Sequence, residues 1–319
     1  MANVASLIAR RLLTLVPLML GVVLFIFVVM ALSPNNAAVS VLGSGASARQ
    51  IAAFNHAHGL DKPLMIRYFD YVGNLVRGRM GTTISLGQSI STIIASALPV
   101  TLQLTGFGIV GAVAVALALG ITGALYRNGW PDQVTRLVSM AGIAIPSFWL
   151  GILLIQRLST IGGGPFPSGH YVHPSQSLSR WFMSLVLPAV ALAVPVGCAM
   201  ARVVRTAMVE ELDKDYVRTA RGAGLPPVVV VGRNVLRNAL ITPLTVVGMQ
   251  IGYLIGGAVV IEAIFALPGM GTQIMSAVEQ NDVGLARGLV ITIALGFVLV
   301  NLIVDILYLV VNPKMRNSQ

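Results

Sequence analysis

Six stretches of about 20 apolar residues recur along the chain, and this repetition restricts the fold more than any other feature. An α-helix rises 1.5 Å per residue, so about 20 apolar residues cross the ~30 Å hydrocarbon core of a bilayer. The qualifying runs are 12–32, 99–125, 137–156, 181–201, 243–261 and 288–311. Lipid offers no partner for backbone polar groups, so runs of this length must satisfy their own as helices. Composition agrees: 10% of residues are charged, against roughly 25% in soluble domains. Mean hydropathy is +0.84. The expected fold is an all-α polytopic membrane protein with six transmembrane helices. The first run follows Arg10 and Arg11, as in a signal peptide. It is too long for that role and leads into Pro34, a poor cleavage context, so it reads as a retained helix.

Basic residues orient these spans. With the N-terminus inside, the cytoplasmic pieces hold Arg10, Arg11, Arg127, Arg136, Arg202, Arg205, Lys214, Arg218, Arg221, Arg233, Arg237, Lys314 and Arg316. The outside loops 158–179 and 265–286 hold no Lys or Arg. Short loops rich in Lys and Arg stay cytoplasmic, so both termini are expected there. The same distribution explains the net charge of +10 without nucleic acid. The basic residues sit at the ends of apolar runs and form no stripe with interleaved aromatics. Cys198 stands alone in an apolar run and reads as a small core residue.

The partition expected is an N-terminal transmembrane helix (1–32), an extracytoplasmic subdomain (33–98), a transmembrane core (99–311) and a cytoplasmic tail (312–319). In the subdomain, 50–58 reads as helical, and 66–76 places Tyr68, Tyr71, Val72 and Leu75 on one helical face. That stripe fits packing or an interfacial anchor. Gly78 and Gly81 read as turns. Pro146, Pro188 and Pro195 fall inside apolar runs and predict kinks. Proline is common in transmembrane helices generally, so a hinge and an ordinary kink are both compatible with them.

The most distinctive region is the loop 208–242 between the fourth and fifth spans. Met208, Leu212 and Tyr216 share one helical face, with Thr219 and Ala220 nearby. Acidic residues come early and Arg218 and Arg221 late, which complements a helix dipole. Glu210 and Lys214 form a favourable i,i+4 pair. Gly224 suits a left-handed C-terminal cap, and Pro226 and Pro227 suit the start of a second, basic helix. A tight helix–turn–helix results. From the residues alone it fits equally well a mechanical coupling element and a loop packed only on its own chain.

Arg218-Thr-Ala-Arg-Gly222-Ala-Gly224, within Asp215–Leu225, resembles the EAA loop of permeases in binding-protein-dependent ABC importers. Arg218 replaces the usual first Glu, as in the dipeptide/oligopeptide/nickel branch. Gly222 and Ala223 depart from that branch's Ala and Lys and bear on partner choice. Nearly the whole chain is similar to its B-type permease: Gly59-Leu-Asp-Lys-Pro63, Gly78-x-x-Gly81, Ile145-Pro-Ser-Phe-Trp149, Leu236-Arg-Asn-Ala-Leu240 and Asn301 to Pro313. Ser33-Pro-Asn-Asn36 departs from the family's Pro-Gly-Asp-Pro. The resemblance implies a type I ABC importer permease fold in a prokaryotic inner membrane. It implies a second homologous permease, two ATPase subunits and an extracytoplasmic substrate-binding protein as partners, with no cofactor. Asp215, Tyr216, Arg218, Thr219, Ala220, Arg221, Gly224 and Leu225 would meet the ATPase. The chain's lysines, Lys62, Lys214 and Lys314, lie in no phosphate-binding loop, so it is expected to be non-catalytic. Short peptides are the substrate class implied; nickel chelates, haem or sugars also fit the resemblance.

Asp305 in the last run and Glu262 at the outer end of the fifth are ionisable, with lumen or structural roles open to both. Glu262 and Arg157 read as snorkelling or rim groups. His56, His58, His170 and His173 lie in outside loops without acidic or Cys partners, which disfavours metal binding. An ion-driven secondary transporter would require carboxylates at mid-membrane, and the chain offers peripheral ones. An intramembrane hydrolase would need a Ser–His pair within the bilayer.

Overall fold

The computed structural model describes residues 4–31, 37–43, 45–84, 87–167, 169, 171–280 and 282–311. Helices follow one another as α1 (Val4–Ala31), α2 (Ala37–Leu42), α3 (Ala48–Ala57), α4 (Leu64–Val76), α5 (Ile90–Leu125), α6 (Trp130–Ala144) and α7 (Ser147–Leu158). Then come α8 (Leu178–Leu212), α9 (Asp215–Gly222), α10 (Pro227–Val229), a π-helical turn (Val230–Val235) and α11 (Leu236–Ala239). The chain closes with α12 (Ile241–Ile264), α13 (Met270–Glu279) and α14 (Val283–Val311). Among the described residues, α5, α8, α12 and α14 are long and apolar enough to cross a membrane. The pair α6 and α7 makes up to five spans if it is taken as one. In α1 the described apolar stretch is Val16–Val29.

The third expected span differs from a straight helix. It is broken between Ala144 and Ser147, and its halves bend by 99°. Proline has no N–H to donate and disfavours helical backbone in the residue before it. Ile145 is accordingly extended (φ −79°, ψ 119°), and Pro146 caps the next helix. Pro188 and Pro195 lie inside the unbroken α8.

The described residues within 101–267 and 300–311 form one compact unit, and those within 4–100 and 282–299, with 268–280, the other. In the first, α8 is the axis, with α6, α7 and α12 packed on it. Its apolar window is 61% buried, against 28–39% for the other spans, which identifies the central helix. Close approach explains how α5 reaches it. A Cβ at Gly120 would lie 2.6 Å from Val204 Cβ, and one at Gly197 2.7 Å from the Ala112 carbonyl oxygen. Small residues let membrane helices pack backbone to backbone where no hydrophobic drive operates.

In the second unit, Val23, Ile26 and Phe27 of α1 pack with Tyr68 of α4 and Ile291 of α14; Tyr71, Val72 and Leu75 join the cluster. The face of α4 expected to pack therefore does so. The Tyr68 hydroxyl donates to the Leu20 carbonyl at 3.1 Å. Asp282 accepts from the backbone N–H of Leu285 (2.9 Å) and of Ile84 (2.7 Å), pinning the turn before α5 to the start of α14. Gly78 and Gly81, expected as turns, take left-handed backbone at φ +73° and +84°.

Candidate functional site

Residues 208–242 fold as two short helical arms on the end of α8. The helix does not run through Tyr216, as a single amphipathic face would require. It stops at Leu212; Lys214 is extended (ψ 149°) and α9 restarts at Asp215. The break changes which residue is buried. Val217 is fully buried, as are Met208, Val230 and Val235, whereas Tyr216 is 36% exposed. Lys214 likewise pairs with Glu211 at 2.5 Å instead of Glu210. That hydrogen bond holds the Lys214 ammonium above its usual pKa.

The Tyr216 hydroxyl fastens the arms together. It donates to Glu211 Oε1 at 2.8 Å and accepts from Asn238 Nδ2 at 3.4 Å. The Asn234 carbonyl lies 3.5 Å away. One phenol oxygen thus joins the last turn of α8, the first turn of α9 and α11. The turn between the arms is a Schellman motif. Leu225 N–H bonds the Ala220 carbonyl and Gly224 N–H the Arg221 carbonyl. Gly224 sits at φ +76°. This is the left-handed position that glycine fills without strain. Pro227 then occupies the first turn of α10, where a missing N–H costs nothing. In the π turn, Leu236 N–H reaches the Val231 carbonyl five residues back.

What remains outward is compact. Asp215 and Arg218 form an ion pair at 3.4 Å, with side chains 96% and 75% exposed. A pair so exposed contributes little to stability. Thr219 Oγ1 donates to the Asp215 carbonyl. Ala220 is half-buried, and Arg221, Gly224 and Leu225 are exposed.

Glu262 departs from the expected rim position. It is completely buried, and Thr101 Oγ1 donates to its carboxylate at 2.6 Å. The side chains of Asp305 and His170 lie outside those described. No cluster of three His, Cys, Asp or Glu side chains suited to a metal occurs among the described residues.

A second centre escaped the sequence reading. Asp132, at the start of α6, has no exposed surface. Arg205 of α8 grips it with two bonds of 2.6 and 2.8 Å. Arg136 adds bonds of 3.1 and 2.8 Å and the Asn128 N–H one of 3.0 Å. Just past the end of α8, Asp213 pairs with Arg127 at 2.8 Å. The Asp132/Arg136 spacing signals a local pair, but Arg205 is far away in sequence.

Residues 116–317 match the family described as binding-protein-dependent transport system inner membrane component, and residues 4–105 match that family's N-terminal domain. The chain belongs to this family. It is 36% identical to the glutathione transport system permease protein GsiC of Salmonella choleraesuis (strain SC-B67), over 97% of this chain and 98% of that one. It is 36% identical to a protein of Brucella abortus (strain 2308) whose name assigns it, as permease, to a peptide transport system, over 98% and 99%. The fold resembles the MetNI methionine ABC transporter in an inward-facing conformation (TM-score 0.57, 16% identity, 69% of this chain and 96% of that one). The permease is therefore a multi-pass inner-membrane subunit of an ABC importer. It carries no catalysis itself and works with ATPase and substrate-binding proteins.

Proposed function

We propose that this permease forms half of a translocation path for short peptides, paired with a second homologous permease. Each permease seats one ATPase subunit on its 208–242 arm. In this reading six helices cross the membrane, both termini are cytoplasmic, and residues 33–98 form an extracytoplasmic subdomain. The names of the glutathione and peptide relatives support the substrate class.

The observation that carries the docking assignment is the Tyr216 fastening. The arm is closed inward through Glu211, Asn238 and buried Val217, and it leaves Asp215, Arg218, Arg221 and Leu225 facing out. An element held this rigidly on the end of α8 transmits a push to the spans, whereas a flexible linker would absorb it. Asp215, Tyr216, Arg218, Thr219, Ala220, Arg221, Gly224 and Leu225 are the residues assigned to the coupling arm, Tyr216 from within.

A Cβ at Gly224 meets nothing of this chain within 4 Å. A large side chain there projects outward, where the ATPase is placed. Gly224→Ala and Gly224→Trp share the backbone strain and differ in bulk. We expect Gly224→Ala to retain the ATPase on purification and Gly224→Trp to lose it or lose transport. Full transport by Gly224→Trp with normal ATPase co-purification would sink the docking assignment.

A further inference from the structure

Among the described residues, Arg287 of α14 has no counter-ion. Its guanidinium lies 3.8 Å over the Phe27 ring, and its Nε is buried with no hydrogen-bond partner. Among the described residues no carboxylate forms an ion pair with it or with Arg67. Phe27 also contacts the Tyr71 ring, at 5.4 Å between centroids, and the buried Tyr71 hydroxyl has no partner either. Arg67 lies one turn before Tyr71 on α4, on the same face, and its side chain donates at 3.3 Å to the Leu60 carbonyl. Arg67 thus puts a second positive charge on the face of α4 that carries Tyr71, whose ring meets Phe27.

Arg287 and Tyr71 thus meet at Phe27 with hydrogen-bond donors to spare, Arg67 stands one turn before Tyr71, and among the described residues no carboxylate pairs with either guanidinium. Burying an unpaired cation or polar donor is expensive, and removal of water normally comes with a partner. A cation–π contact with Phe27 offsets part of this cost and leaves the N–H donors unanswered. The surroundings identify what would answer them. Met65, Ile66 and Phe69 flank Arg67, and Phe25, Val28 and Val29 flank Phe27, all large apolar side chains exposed at the surface. A ligand that fits must carry an oxyanion and also apolar chains.

We propose that Arg287, Tyr71 and Arg67 bind the phosphate of an anionic phospholipid whose acyl chains lie along the exposed apolar faces of α1 and α4. Arginine suits phosphate because its fork donates two parallel bonds. Tyr71 supplies a third donor from the same side. The site is independent of the coupling arm and of the substrate carried.

The test uses the whole transporter, purified in detergent and stripped of lipid. Phosphatidylglycerol, phosphatidylcholine or inorganic phosphate is then added back, with retained lipid read by native mass spectrometry and stability by thermal unfolding. We expect phosphatidylglycerol to be retained and to raise the unfolding temperature, and phosphatidylcholine and inorganic phosphate to do neither. Arg287→Met should weaken phosphatidylglycerol retention at least about tenfold, the equivalent of one charge-assisted bond. Tyr71→Phe removes a single oxygen, keeps the packing with Phe27, and should weaken it several-fold; it stands in if Arg287→Met does not fold. Equal retention by wild type and Tyr71→Phe, together with equal retention by any folded Arg287→Met, overturns the proposal. Stabilisation by inorganic phosphate that matches the lipid overturns the lipid as source. Loss of the second permease from Arg287→Met, with lipid retention unchanged, assigns the cluster to a subunit contact and overturns it too.

Discussion

Two glycines, separated by one residue, should respond to alanine with opposite signs. Gly224 has φ +76°, and Gly222 ends α9 with ordinary helical backbone. A Cβ meets nothing within 4 Å at either position, so packing does not separate them. At Gly224 the left-handed conformation costs a non-glycine residue about 1–2 kcal/mol. Stiffening the unfolded chain returns about 0.4–1 kcal/mol, which leaves a net loss of about 1 kcal/mol. At Gly222 the same stiffening acts without strain, and the gain is about 0.5 kcal/mol. The two variants should differ by about 1.5 kcal/mol, roughly tenfold in local opening. Global unfolding of a membrane complex is a poor reporter of this difference, because it is rarely two-state. Amide hydrogen exchange over 215–230 reads it directly, through the Gly224 and Leu225 N–H groups that close the turn. Gly224→Ala should exchange faster than wild type and Gly222→Ala no faster. Gly224→Asn should fall between wild type and Gly224→Ala, since Asn tolerates the left-handed region. Equal protection in Gly222→Ala and Gly224→Ala would refute the assignment of strain to position 224.

Tyr216→Phe removes the oxygen that joins Glu211 to Asn238. A bond to a carboxylate is worth about 1.5–3 kcal/mol, and partial exposure reduces this to about 1 kcal/mol. Stimulation of ATP hydrolysis by the loaded binding protein should fall while the ATPase stays bound; unchanged stimulation would contradict a fastening role. Asp132→Asn leaves Arg205, only 20% exposed, under-compensated, at a cost of about 2–4 kcal/mol in thermal unfolding once its partial exposure is allowed for, and Asp132→Asn/Arg205→Met should recover part of it. A double variant no better than Asp132→Asn would mean that the pair is not coupled. Gly120→Ala drives a methyl into Val204 and should cost about 1–3 kcal/mol, whereas Gly106→Ala, with nothing within 4 Å, should be nearly neutral.

Apolar run length is a local property, so the long helices α5, α8, α12 and α14 could be read from the chain with no partner in view. Gly224 and Pro227 were legible for the same reason, since each acts through its own backbone. The bend after Ala144 was half legible. Pro146 announced a kink, but only the packing of α6 and α7 on α8 sets its size. The arrest of α8 at Leu212 was not legible, because 208–216 reads as one amphipathic turn after another. At that break Glu211 accepts from both Lys214 and Tyr216, side chains that meet it only once the helix has stopped. Glu262 was misplaced because sequence gives depth along a helix and not which side faces inward. Asp132 and Arg287 went unnoticed because their partners, or the lack of them, appear only when distant segments are brought together.

The π turn at Val230–Val235 carries an additional residue in its backbone loop. Each residue inserted in a helix turns everything beyond it by about 100°. The arm therefore has its compass bearing, relative to α12, written into one surplus residue. A deletion of one residue there would leave every outward side chain present and aim the whole face in a different direction.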